Sequence, residues 1–174
     1  EYREDLMMYI DNAMPETVSG TDDAAFNELF TPEEISDFKG QAHFLRAYFY
    51  WLTLRAFGPV PIIPDEGIDY TQEYDELAYP RNSYDECVEY ITDELTKAAS
   101  VLPLQRGVQE ITRPTRGAAL ALRAKVLLYA ASPLFNGKAP DVVSSALINK
   151  NGKRLLPESY DESKWAKAAA AAKD

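Results

Sequence analysis

The chain has 174 residues, 18 Lys and Arg against 28 Asp and Glu, and a formal net charge of −10. That length fits one domain with a real core, and that charge argues against duplex nucleic acid as a partner, since backbone binding needs a basic surface. The lone Cys87 excludes an internal disulfide and a cysteine-based zinc site.

Tyr2 to Met14 reads as a helix with Leu6, Ile10 and Ala13 on one face and Pro15 after its end. Asp22 or Asp23 is placed to cap a short helix through Phe30. Thr31-Pro-Glu-Glu34 opens a longer one over residues 32–57. Thr31 caps, Pro32 suits the first position, and Glu34 reaches back in a capping box. Apolar residues recur at Phe38, Ala42, Leu45, Phe49, Leu52 and Ala56, with a second row at Phe44, Tyr48 and Trp51. Two rows predict a helix packed on more than one side. Gly58-Pro59 ends it, and Val60 to Pro64 leaves as an extended segment. The richest apolar run, Phe44 to Phe57, is interrupted by Arg46 and Arg55 and falls short of the ~20 apolar residues of a membrane span.

Residues 65–81 read as a loop with six acids and Tyr70, Tyr74 and Tyr79. Ser83-Tyr-Asp-Glu86 is a second capping box, and Tyr84, Val88, Ile91, Leu95, Ala98 and Leu102 predict an amphipathic helix over 84–101 that ends before Pro103. Cys87 within it reads as a small core residue. A loop runs from Gln105 to Pro114. A helix over 116–131 follows, opened by Thr115 or Arg116, with Ala119, Leu122, Val126 and Tyr129 facing inward. Residues 136–160 read as irregular, and so long an irregular stretch is more often functional or mobile than plain connection. Asp161 caps a last helix over 162–174, with Trp165, Ala169 and Ala172 on one side.

The segments Gly40 to Ala47 and Gly117 to Ala124 share Gly, Ala, Leu, Arg and Ala at a constant offset of 77 (117 − 40). On this alignment Ala42, Leu45 and Phe49 correspond to Ala119, Leu122 and Val126. A helix pair cannot cover its own apolar faces, so repeated pairs must stack, which predicts an all-α, tetratricopeptide-like superhelix of helical hairpins with long irregular loops. Arg46 and Arg123 are matched in the repeat. They either pair with nearby carboxylates or face a partner.

Phe44-Leu-Arg-Ala-Tyr-Phe-Tyr50 running into Arg55-Ala-Phe-Gly-Pro-Val-Pro-Ile-Ile63, with Ala121-Leu-Arg-Ala-Lys-Val-Leu-Leu-Tyr-Ala-Ala-Ser-Pro-Leu-Phe-Asn136, resembles the SusD/RagB family of nutrient-binding lipoproteins of the Bacteroidetes outer membrane. The resemblance covers most of the chain. It implies a single helical-repeat domain over 1–174 within a longer polypeptide, the export signal, lipid-attachment cysteine and C-terminal half lying outside this sequence. It also implies a cell-surface protein, tied to the outer membrane by that lipid, which captures oligosaccharides and passes them to a TonB-dependent, SusC-like transporter. Membrane contact would then be through the anchor alone.

No catalytic constellation is present: His43 is the only histidine, and neither a nucleophile elbow, a metalloprotease motif nor a phosphate loop occurs. Acids are plentiful enough for a carboxylate pair of the glycosidase kind, though no pair is singled out; the resemblance implies binding without bond cleavage and without a cofactor. Asp65, Asp69 and Asp75 do not have the spacing of a calcium loop. Tyr70, Tyr74 and Tyr79 lie in a polar loop, where flat rings beside carboxylates suit the apolar face and hydroxyl rim of a sugar. The other reading folds them back on the helices. Asn136, with Asn149 and Asn151, marks a second candidate glycan contact. With the resemblance set aside, a helical-repeat scaffold that binds only proteins fits the same pattern.

Overall fold

The structure is a computed structural model and describes residues 30–64, 71, 73 and 77–174. The expected helices over 2–14 and before Phe30 lie outside the described residues, as do Tyr70 and Tyr74. The chain divides into two compact units, residues 1–38 and 39–174. Five α-helices are described: α1 Pro32–Phe57, α2 Tyr84–Val101, α3 Arg116–Ala131, α4 Asp141–Ala146 and α5 Ser163–Ala171. Two short 3₁₀ turns, Val108–Glu110 and Pro133–Phe135, lie in the connections.

In the first unit the start of α1 is capped reciprocally. Thr31 N donates to Glu34 Oε2 at 2.9 Å, and Glu34 N donates to Thr31 Oγ1 at 3.2 Å. Two of the amides that a helix start leaves without intrahelical partners are thereby satisfied. The rings of Phe30 and Phe38 meet edge-on at 5.4 Å.

The second unit is built around α2. Its inward row is the one the sequence predicts: Tyr84, Val88, Ile91, Leu95, Ala98 and Leu102 are all buried, together with Cys87. Burying an Ile or Leu side chain contributes about 1.5–3 kcal/mol. The Ser83–Glu86 capping box holds the helix start, with Ser83 N donating to Glu86 Oε2 at 2.7 Å.

On α1 the expected inward row is corrected. Ala42, Leu45, Phe49, Leu52 and Ala56 stay exposed; of the second row Trp51 is buried as expected while Tyr48 is exposed, and Gly40, Ala47 and Leu54 are buried beside Trp51. Because α1 is apolar on nearly every side, periodicity does not decide which row meets α2. Size does. A Cβ on Gly40 would lie 2.6 Å from Val101 Cγ2, so the helices come close only where the side chains are smallest. Above that crossing Tyr50 meets Tyr90 edge-on at 4.9 Å, and Trp51 meets Tyr129 of α3 at 5.1 Å.

Residues 102–115, with one of the 3₁₀ turns, join α2 to α3 in a hairpin. Arg116 N donates to Pro103 O at 2.9 Å, Arg116 Nε donates to Ala99 O at 3.0 Å, and Arg106 clamps Pro114 O through Nε and Nη2. Thr115 caps α3 by accepting from Ala118 N. In turn α3 packs on both α2 and α5, which gives the stacked, tetratricopeptide-like arrangement. Ala119 and Val126 are buried as predicted, but Tyr129 is 40% exposed, with its ring against Trp51, and Ala130 and Ala131 after it are buried.

The repeat relation needs one correction. At the 77-residue offset the matched positions do not share an environment: Phe49 is 60% exposed, whereas Val126 is 0%. The buried residues Gly40, Ala47 and Trp51 correspond to Ala119, Val126 and Ala130, a shift of 79 (119 − 40). Two residues turn a helix by roughly 200°. The shared motif therefore directs nearly opposite faces of α1 and α3 into the core.

Residues 136–160 are also more ordered than their composition predicts. They contain α4 and an antiparallel bridge between Ile148 and Arg154, and Leu155 and Leu156 are buried. On α5 the buried residues are Ala168 and Ala171, while the side carrying Trp165, Ala169 and Ala172 is exposed, Trp165 to 42%. The small side chains decide again, because α3 approaches α5 along its alanines.

Candidate ligand-binding surface

The segment carrying Tyr79 is fixed from two sides. On one side lies the extended exit from α1. Gly58, at φ 74°, turns the chain out of the helix while its N–H donates to Leu54 O at 3.0 Å. The strand-like residues beyond it are then pinned. Ile63 N donates to Tyr50 Oη at 2.9 Å, Ile62 N donates to Asn82 Oδ1 at 2.9 Å, and Asn82 N donates back to Val60 O at 3.2 Å. Cys87 Sγ donates to the same Val60 carbonyl at 3.4 Å. Burial pushes the Cys87 thiol above its ordinary pKa, which suits a packing role rather than a nucleophile.

On the other side lies the turn between Leu147 and Leu155. Asn149 Nδ2 donates to Arg81 O at 3.0 Å, Lys150 Nζ donates to Ala78 O, and Arg81 Nη2 donates to Ile148 O at 3.5 Å. Residues 78–81 and 148–150, which belong to two stretches that the sequence singled out separately, are thus brought together.

Of the expected contacts, Tyr79 is half-buried on this surface. Tyr70 and Tyr74 lie outside the described residues. Asn136 does not belong to the surface: it is 0% exposed, its Nδ2 donates to Asp161 O at 2.9 Å, and its Oδ1 accepts from Asp161 N at 2.8 Å. Its amide ties the turn after α3 to the start of α5 and offers no group to a ligand. Asn149 is likewise engaged with the backbone, while Asn151 is exposed. Arg81 and Lys150 were not read from the sequence as site residues. Asn149-Lys-Asn-Gly152, a turn-forming run with glycine at φ 80°, is the signal that marks the hairpin.

Two charged clusters lie elsewhere. Glu94, buried on α2, faces His43, Arg46 and Lys97. Between α2, α3 and α5 runs a concavity of about 430 Å³ lined by Asp85, Val88, Arg123, Leu127, Lys164 and Asp174. There Lys164 Nζ donates to Asp85 Oδ1 at 2.5 Å, and Arg123 Nη1 to Asp174 Oδ2 at 3.2 Å. Both repeat-matched arginines, Arg46 and Arg123, thus reach carboxylates. Among the described residues no group of His, Cys, Asp or Glu could hold a metal ion, and no helix is long and apolar enough to cross a membrane.

Residues 15–128 match the profile of a SusD-like family described as "Starch-binding associating with outer membrane". Two structures of the protein BT4246 are similar to the chain at 37% and 35% identity, over 83% and 84% of its length, with TM-scores of 0.69 and 0.73. A SusD-like protein of Bacteroides fragilis is similar at 35% identity over 59% of the chain and 19% of its own length, with a TM-score of 0.53. No curated protein matches. The chain belongs to the SusD-like family. It spans about a quarter of the BT4246 structures it matches, 23% and 25% of their length.

Proposed function

We propose that this chain is part of a cell-surface protein that binds glycans and passes them to a TonB-dependent, SusC-like transporter in the outer membrane. The single observation that carries the reading is membership of a family described as starch-binding and outer-membrane-associated. The helical hairpins are the scaffold and docking face. Tyr70, Tyr74 and Tyr79 are the proposed sugar contacts, with a ring face laid on the C–H side of the sugar and neighbouring polar groups on its hydroxyls. Asn136 sets the backbone of α5 instead. The action is reversible binding without bond cleavage, and a lipid anchor holds the full-length protein at the membrane.

Titration calorimetry of the full-length protein with maltoheptaose and a panel of other oligosaccharides tests this. Saturable binding is expected, and Tyr79→Ala weakens it about tenfold, the loss of one aromatic contact of roughly 1.4 kcal/mol. Absence of binding to every glycan, with no transporter co-purifying, overturns it. Binding to proteins alone would then leave the scaffold reading.

A further inference from the structure

The hairpin turn 147–155 makes more contact with the Tyr79 segment than a passing loop needs. It is well built in itself. Leu155 N donates to Leu147 O and Asn149 N to Lys153 O, both at 2.9 Å, and Gly152 N closes on Asn149 O at 3.0 Å. Asn149 Oδ1 accepts from Asn151 N at 3.0 Å and from Lys153 N at 2.9 Å, so this carbonyl holds the turn in shape. The base of the turn is anchored by buried Leu155 and Leu156 and by Tyr84 N donating to Leu155 O at 2.8 Å. Lys153 Nζ adds an ion pair to Glu86 at 2.7 Å.

From this frame two donors reach across to backbone carbonyls that bracket one dipeptide. Lys150 Nζ takes Ala78 O, and Asn149 Nδ2 takes Arg81 O. Between those carbonyls stands Tyr79-Pro80. Proline restricts the residue before it to extended conformations, and Tyr79 N donates to Leu77 O at 3.0 Å in a tight turn. The dipeptide is therefore held at both ends and stiff in the middle.

We infer that Asn149 and Lys150 are positioning residues that pre-set the Tyr79 ring for ligand, acting through the backbone of residues 78–81. This rests on the reading of Tyr79 as a sugar contact. Asn149 has two separable tasks: its oxygen holds the turn, and its nitrogen holds Arg81. Asn149→Asp keeps the first and removes the second. Lys150→Met keeps the aliphatic stem and removes the donor to Ala78. Pre-organising a contact side chain strengthens binding by sparing the ordering cost at the moment of association.

The experiment uses the full-length protein and three variants: Asn149→Asp, Lys150→Met and, for reference, Tyr79→Ala. Hydrogen exchange is followed in the peptide covering residues 77–83, where Tyr79 N and Asn82 N are both hydrogen-bonded. Maltoheptaose affinity and the urea midpoint are measured alongside. Faster exchange in that peptide is expected for Asn149→Asp and Lys150→Met, with affinity about three- to tenfold weaker and an unchanged urea midpoint. Unchanged exchange overturns the inference. So does unchanged affinity in these two variants when Tyr79→Ala weakens binding. If Tyr79→Ala binds as well as the parent, the sugar-contact reading fails on its own, and the exchange data still decide whether the turn holds the segment.

Discussion

Glu94 Oε2 of α2 lies 2.8 Å from His43 Nδ1 of α1. The carboxylate is 1% exposed, and it also takes Lys97 Nζ at 2.7 Å and faces Arg46 Nη1 at 3.7 Å. Burial pushes its pKa up, but hydrogen bonds from His43 and Lys97, with their charges, outweigh that and hold it below its ordinary value. One acid thus joins the two helices beside their apolar contacts. It explains why a charged residue stands inside the predicted inward face of α2, and why the only histidine of the chain lies on α1.

Removing that acid leaves its partners facing an apolar junction. Glu94→Ala is expected to lower stability by about 2 kcal/mol, the scale for hydrogen bonds to a charged group. His43→Ala removes one of two hydrogen-bond donors to a carboxylate that keeps Lys97 and the nearby Arg46 charge, so a smaller loss is expected. Glu94→Leu should recover part of the Glu94→Ala loss, because packed apolar groups can replace buried ionic ones. Urea titration of the three variants checks the order. An equal loss for Glu94→Ala and Glu94→Leu would contradict it.

Glu86 makes stability sensitive to acid. The hydrogen bond from Lys153 comes first, then those from the Ser83 backbone and hydroxyl, and they hold its pKa at about 2 against an ordinary 4.5. A depressed carboxyl stabilises the fold fully above its unfolded pKa, and the contribution is lost as pH falls from 4.5 toward 2. The side chain is 40% exposed, so water screens the pair and the contribution stays below about 1 kcal/mol. Glu86→Gln can keep a capping acceptor but does not titrate. Its urea midpoint is expected to fall less steeply between those two pH values than that of the parent, and parallel curves would refute the assignment.

Gly137 and Gly152 both have positive φ, 70° and 80°, but differ in surroundings. A Cβ on Gly152 meets nothing within 4 Å, while one on Gly137 runs into the backbone of Ser159 and Tyr160. Gly152→Ala should therefore cost about 1 kcal/mol of backbone strain alone. Gly137→Ala adds a backbone clash and should cost about 3 kcal/mol or more, since it forces apart the junction that Asn136 closes. Thermal unfolding of the two variants side by side checks the ranking.

The local signals at the helix ends and along α2 agree with the structure. Thr31 and Ser83 open capping boxes, Gly58-Pro59 ends α1, and the spacing from Tyr84 to Leu102 gives the inward face of α2, because each depends on residues within a few positions of one another. The candidate surface was legible only in pieces. Tyr79 and Asn149 stood out by residue type, but nothing in either stretch says that Asn149 reaches the Arg81 carbonyl 68 residues away. Asn136 has the composition of a ligand contact and the position of a buried clasp.

By itself the sequence determined the helical class, the helix ends and the family pattern, since hydrophobic period, caps and turn residues act over one or two turns of chain. Only the tertiary structure decided which face of α1 is buried and where the shared glycine-to-alanine motif points. An apolar row states a preference for leaving water. Which row succeeds depends on where a neighbouring backbone can come close, and at Gly40, Ala47, Ala119 and Ala168 that was set by the smallness of side chains.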